Sequence, residues 1–197
     1  MDITQLILDD HHEQRRLFAI LEQIDAADVD ALDAIWRRLA TFLEVHALAE
    51  EDIFYPALLR LGDGTVTVAS AEDETEDAIK DHNEIRDAIA SANRLKVGSE
   101  PWYAAVAATN EANGDHMAEE EREGLTDLRT HADLMTRHAL GVRFAVFEAE
   151  HVSGVRAVDR DPKAYIADHS APNSKLLRSA ASREDCVDRV TAGPGNQ

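Results

Sequence analysis

The chain has 197 residues, 30% of them charged and only 5% aromatic, with a formal net charge of −19. That length suits one core. The charge excludes nucleic acid and anionic membrane surfaces as partners, since both carry negative groups that this surface repels. No apolar run reaches the ~20 residues of a membrane span, and Met1-Asp2-Ile3-Thr4-Gln5 lacks the basic start of a signal peptide. Cys186 is the one cysteine, so no internal disulfide forms. A cytoplasmic protein is expected.

Ala, Leu, Glu, Asp and Arg dominate, and the expected class is all-α. A first helix is predicted from Ile3 to Asp25, capped by Asp2, with Leu17, Leu21 and Ile24 facing inward. After a turn at residues 26–28, a second helix runs from Val29 to Leu61, kinked near its end by Pro56. Its inward face carries Leu39, Leu43, Phe54 and Leu61. Gly62-Asp63-Gly64 ends it, and Thr65-Val66-Thr67-Val68 reads as an apolar loop with some strand character. Ser70 caps a third helix that reaches Val97, with Ile79, Ile85 and Ile89 inward. Gly98-Ser99 turns the chain into a fourth helix, Glu100 to Glu123, with Pro101 in its first turn. Gly124 breaks the pattern. A fifth helix is predicted over residues 130–152, packing through Leu134, Val142, Val146 and Phe147. From Asp161 the composition suggests a loosely ordered tail, with a short helix near residues 176–190. The expected organisation is a bundle over 1–125, an additional packed helix over 126–160 and a tail over 161–197.

One pattern occurs twice: His11, then His46 and Glu50; His82, then His116 and Glu120. The flanks repeat as Asp10-His11-His12-Glu13 and Asp81-His82-Asn83-Glu84. In an antiparallel hairpin, residues equidistant from the turn lie side by side. The midpoints of 11 and 46, of 46 and 82, and of 82 and 116 are 28.5, 64 and 99, each in a predicted turn. An up-down-up-down four-helix bundle therefore brings four histidines to one level of its core. Glu50 and Glu120 lie one turn from His46 and His116 on the same faces. Two carboxylates buried without a cation cost too much, so the six residues are expected to hold a pair of metal ions. Imidazole and carboxylate suit iron, manganese, zinc or copper. Room for bridging carboxylates and an exogenous oxygen favours two irons, with dimanganese and mixed occupancy left open. Of the adjacent His11 and His12, the helical phase and the alignment with His82 select His11, leaving His12 solvated or behind the ligands.

Over roughly residues 3–123 the chain resembles the hemerythrin-like, or HHE cation-binding, family. The resemblance rests on Asp10-His11-His12-Glu13, on His46, Glu50 and Glu51 with Phe54-Tyr55-Pro56 behind them, on Asp81-His82-Asn83-Glu84, and on His116, Glu120 and Glu121. It implies a four-helix bundle around two non-haem irons with an oxo or hydroxo bridge. His11, His46, His82 and His116 become terminal ligands, and Glu50 and Glu120 bridging carboxylates. The oxygen carriers of this family have a fifth histidine where this chain has Arg86, and an aspartate where it has Glu121. The chain is more similar to the subset with four His and two Glu. That resemblance implies chemistry on small oxidants: catalase-like breakdown of hydrogen peroxide, or nitric-oxide peroxidation in stress defence. The alternative is a module that binds or senses iron, O2 or NO without turnover.

Other residues read more plainly. On a regular helix Tyr55 points away from Glu50 and Phe54 points inward; unwinding at Pro56 would instead let Tyr55 offer a phenolate to the site. Arg86, one turn from His82, is expected in a surface ion pair, with a place at the border of the pocket as the alternative, and Glu119 and Glu121 on the surface. Glu148 and His151 form a single Glu-x-x-His pair without a second copy. His131 and His138 share a helix face but lack a carboxylate pattern.

Overall fold

The computed structural model describes residues 1–65 and 70–170. The positions 66–69 and 171–197, which include the apolar loop, the short helix expected at 176–190 and Cys186, lie outside the described residues. All regular structure among the described residues is helical. Helices α1 (Ile3–Gln23) and α2 (Val29–Ala49) form one antiparallel hairpin; α4 (Ala71–Asn93) and α5 (Glu100–Arg122) form the other. The predicted second helix is not continuous. A π-helical turn, Glu50–Phe54, interrupts it before α3 (Tyr55–Leu61). Outside the four-helix bundle follow α6 (Gly124–His131), α7 (Leu134–Glu150) and α8 (Pro162–Ser170).

Local chemistry starts and stops these helices as the sequence suggests. Asp2, Asp28, Ser70 and Ser99 each accept a backbone N–H with the side chain, at Thr4, Ala31, Asp73 and Trp102 respectively. α4 ends at Asn93, short of Val97, and Gly98 makes the turn into α5 with φ +76°, in the left-handed region open to glycine. The break expected at Gly124 separates α5 from α6. There the Asp127 carboxylate accepts from the backbone N–H groups of Asp63 and Gly64, at 3.1 and 2.9 Å, and ties down the end of α3.

Two apolar clusters lie above and below a polar layer. One gathers Ile3, Ile7, Phe54, Leu58, Ile79 and Phe144, and the other Leu17, Phe18, Trp36, Leu39, Ile89 and Trp102. The four repeated histidines and their glutamates lie in the layer between them, sealed from water on both sides.

Three expectations are corrected. α7 does not pack through Leu134, Val142 and Val146, which are 63%, 42% and 49% exposed; Leu140, Gly141 and Phe144 are buried instead. Gly141 selects that face, because a Cβ there would meet the backbone N of Ile3 at 3.0 Å. The tail does not begin at Asp161. Residues Pro162–Ser170 form α8, which packs against α3 and α4 and buries Tyr165. Leu61, expected inward, is exposed as well.

Candidate metal centre

The bundle brings all six repeated residues together. His11, His46, Glu50, His82, His116 and Glu120 are buried in the polar layer. Two triads emerge, His11–His46–Glu50 and Glu50–His82–His116, each with one ligand atom per residue within 4.8 Å of the others. Glu50 belongs to both. Its Oε1 faces His46 Nε2 at 2.8 Å and His11 Nε2 at 4.0 Å; its Oε2 faces His82 Nε2 at 3.3 Å and His116 Nε2 at 4.0 Å. Glu120 turns Oε2 toward His11 Nε2 at 3.3 Å. Its other oxygen accepts a 2.6 Å hydrogen bond from the Tyr55 hydroxyl.

The outward nitrogen of every imidazole meets a carboxylate. His46 Nδ1 lies 3.0 Å from Asp10, His11 Nδ1 2.9 Å from Glu121, His82 Nδ1 2.9 Å from Glu51 and His116 Nδ1 3.4 Å from Asp81. An imidazole that donates its Nδ1–H in this way keeps a lone pair on Nε2 and points it inward. His12 is exposed and takes no part.

These lone pairs decide what fits. His11 Nε2, His46 Nε2, both oxygens of Glu50 and Glu120 Oε2 are buried and have no hydrogen-bond partner. The His46–Glu50 contact of 2.8 Å is close but lacks hydrogen-bond alignment, so it is a convergence of acceptors rather than a bond. His82 Nε2 and His116 Nε2 are 3.1 Å apart, two inward nitrogens facing each other. Such an assembly is stable only with positive charge at its centre. Without a metal, protons supply it. Burial opposes charge on His82, but the Glu50 and Glu51 carboxylates beside it outweigh that and raise its pKa to about 9. His46 is likewise raised well above its ordinary value, against its burial, by Glu50 and Asp10. Burial would raise Glu50, but His46 and His82 hold it well below the usual carboxylate range. The donor set, neutral nitrogens and carboxylates with no thiolate, fits a divalent transition metal such as iron.

Three residues stand otherwise than the favoured sequence reading placed them. Tyr55 is fully buried and aimed at Glu120, because the π-helical turn inserts one residue and rotates it into the position a regular helix gives Phe54. Burial raises its pKa far above the phenol value, and the Glu120 charge adds to this, so the hydroxyl keeps its proton. Arg86 is not a surface ion pair. It is buried, with Nη2 2.6 Å from Glu51 Oε1. Glu121, expected on the surface, is half-buried, and the hydrogen bond from His11 holds its pKa down to about 2. The available signal was the repeat itself: an Asp precedes each first His, and a second Glu follows each ligand Glu.

Beside His46, a cavity of about 460 Å³ opens between α1, α2 and α7, lined by Asp10, Phe42 and Glu148 among others. Burial and the nearby Asp10 charge raise Glu148 to about 8, so it is protonated at neutral pH.

A helical bundle whose core holds converging His and Glu acceptors is a cation-binding bundle. The chain belongs to the hemerythrin HHE cation-binding domain family, whose model matches residues 2–149. No curated protein and no solved structure matches it. Among the described residues, no helix is long and apolar enough to cross a membrane.

Proposed function

We propose that the chain is a di-iron protein acting on small oxidants, and that hydrogen peroxide is the leading substrate. One observation carries the reading: buried, unpaired acceptors of two histidines and two glutamates converge on one level of the core. His11 and His46 would hold one iron, His82 and His116 the other. Glu50, with one oxygen toward each pair, would bridge them, and Glu120 would complete the set from the His11 side. Bound iron would supply Lewis-acid activation and redox change.

The protein's own residues do the rest. Asp10, Glu51, Asp81 and Glu121 fix the ring orientations and keep each Nε2 a lone-pair donor. Tyr55 holds a proton at Glu120 Oε1, on the edge of the ligand set. The apolar clusters keep bulk water out. Catalase-like turnover converts two hydrogen peroxide molecules to two waters and one O2, so it needs no external reductant. Nitric-oxide peroxidation at the same centre is the second oxidant chemistry the reading allows.

The test is iron content followed by peroxide consumption. Two irons per chain, and peroxide loss much faster than in the His46→Ala, Glu50→Ala double variant, are expected. Equal rates would remove the enzymatic reading. They would leave a module that binds iron, O2 or NO without turnover.

A further inference from the structure

Beyond α7 the chain turns back across the π-helical turn. Arg160 is the point of contact. Its backbone N–H donates to Asn83 Oδ1 at 3.1 Å, and its carbonyl accepts from Asn83 Nδ2 at 2.8 Å. Its guanidinium lies 2.6 Å from Glu51 Oε2 and 3.0 Å from Asp52 Oδ1. The Glu51 contact is ionic, since it lacks the alignment of a hydrogen bond. α8 follows, and the Tyr165 hydroxyl donates to the backbone carbonyl of Glu51. That carbonyl needs a donor. The π-helical register pairs the Tyr55 N–H with the Glu50 carbonyl, so the next pairing falls to Pro56, which has no N–H.

Glu51 is thus gripped from three directions. Its fully buried carboxylate meets His82 Nδ1, Arg86 and Arg160, and its carbonyl meets Tyr165. Its counterpart in the repeat, Glu121, is 29% exposed and pairs with His11 and with Arg15, itself 41% exposed. The two halves match in sequence but not in surroundings. The residue that completes the difference, Arg160, lies outside the stretch matched by the family model, residues 2–149.

We propose that segment 158–170 is a clasp on the metal centre, in which Arg160 is a positioning residue: through Glu51 it fixes His82, and so sets the cation position of His82 and His116 apart from that of His11 and His46. This rests on the cation-binding reading above. Removing a hydrogen-bonded or ionic support behind a metal-ligating histidine lowers metal affinity roughly 10- to 100-fold. Arg86 remains on Glu51 in such a variant, so the lower end of that range is expected.

The experiment is anaerobic titration of the metal-free full-length protein with ferrous iron. Arg160→Gln should weaken one of the two iron equivalents about tenfold and leave the other unchanged. Arg160→Lys, which keeps the charge, should recover most of the loss. Asn83→Ala frees the Arg160 backbone, and also the Arg86 Nη1 that donates to Asn83 Oδ1 at 3.2 Å, without altering charge at Glu51, and should weaken the same equivalent. If Arg160→Gln fails to fold, these two variants carry the test. Unchanged binding in all variants, or equal weakening of both equivalents, would overturn the proposal. A second readout needs no iron: the exchange rate of the His82 Nδ1 proton, followed by NMR in the metal-free protein. It should rise in Arg160→Gln and Asn83→Ala. If the wild-type chain took up no iron, the functional reading would fall, and an unchanged exchange rate would still separately overturn the clasp.

Discussion

Protons and metal compete for the same nitrogens, and the structure gives the sign and scale of that competition. The perturbation is pH. In the metal-free protein His82 has a pKa of about 9, because Glu50 and Glu51 favour its charged form more than burial opposes it. At pH 7 only about one His82 in a hundred is neutral, which lowers the affinity of its metal position about 100-fold, or ~3 kcal/mol. His46 is raised well above its ordinary value too, by Glu50 and Asp10 against its burial, so a proton also competes for its position. The apparent iron affinity should therefore rise with pH from 6 to 9, by about tenfold per unit for each proton displaced. Calorimetric titration in buffers of different ionisation enthalpy counts those protons, and net proton release is expected at pH 7. The metal-free fold shows the other side of the linkage. A raised imidazole pKa contributes stability that is complete below pH ~6.5 and lost as pH rises through about 9. Denaturant unfolding of the metal-free protein should thus weaken by roughly 3 kcal/mol over that window on account of His82, and the iron-loaded protein should not share that loss. Iron binding without proton release, with a flat affinity between pH 6 and 9, would refute the reasoning that the Nε2 atoms face the metal.

Tyr55→Phe should cost about 1–3 kcal/mol in denaturant unfolding, because Glu120 Oε1 loses its buried hydrogen bond. The same variant should still bind two irons but react more slowly with peroxide. Glu148→Gln tests the carboxyl beside Asp10. Burial and the Asp10 charge raise its pKa to about 8, so the wild type loses stability as pH rises from the ordinary carboxylate range toward 8, and the variant should show less of that loss. Gly98→Ala should lower stability by about 1 kcal/mol without changing iron content. The added Cβ finds space, its nearest neighbour being at 3.5 Å, and the cost lies in the left-handed backbone alone.

The bundle was legible because its signals are local. Caps at Asp2 and Ser70, glycines at the turns, and the midpoints of the histidine pairs need no knowledge of distant contacts. Tyr55 was only partly legible: Pro56 hinted at an unwound helix, but counting 100° per residue assumes a regular one and turns Tyr55 away. The π-helical turn adds one residue between Glu50 and Tyr55, and Pro56 withdraws the N–H that would close the normal register. Arg86 was misread because its partner is 35 residues away in sequence, and a buried carboxylate at Glu51 makes sense of a buried guanidinium only once the helices are packed. On α7, hydrophobicity pointed to Leu134, Val142 and Val146, whereas a close approach to the start of α1 favoured the smaller Gly141 face.

The supporting carboxylates also bear on how the site and the fold depend on each other. Asp10 on α1 holds His46 on α2, and Asp81 on α4 holds His116 on α5. Those links close each hairpin on itself. Glu51, just past α2, holds His82 on α4, and Glu121 on α5 holds His11 on α1. Those links join one hairpin to the other. Taken in order, the four pairs run from α1 to α2 to α4 to α5 and back to α1, one across each neighbouring pair in the bundle. Neither hairpin alone can orient all of its own histidines, so the donor set is complete only when both have docked. Metal binding is then coupled to assembly of the bundle as well as to closure of each hairpin. Because Glu51 is the link that bears two guanidiniums and the Tyr165 hydroxyl of α8, loosening it should weaken docking of the hairpins more than loosening the partly exposed Glu121 link. Glu51→Gln should therefore lower the unfolding midpoint of the metal-free protein further than Glu121→Gln, and equal midpoints would show that the circuit is not mechanically uneven.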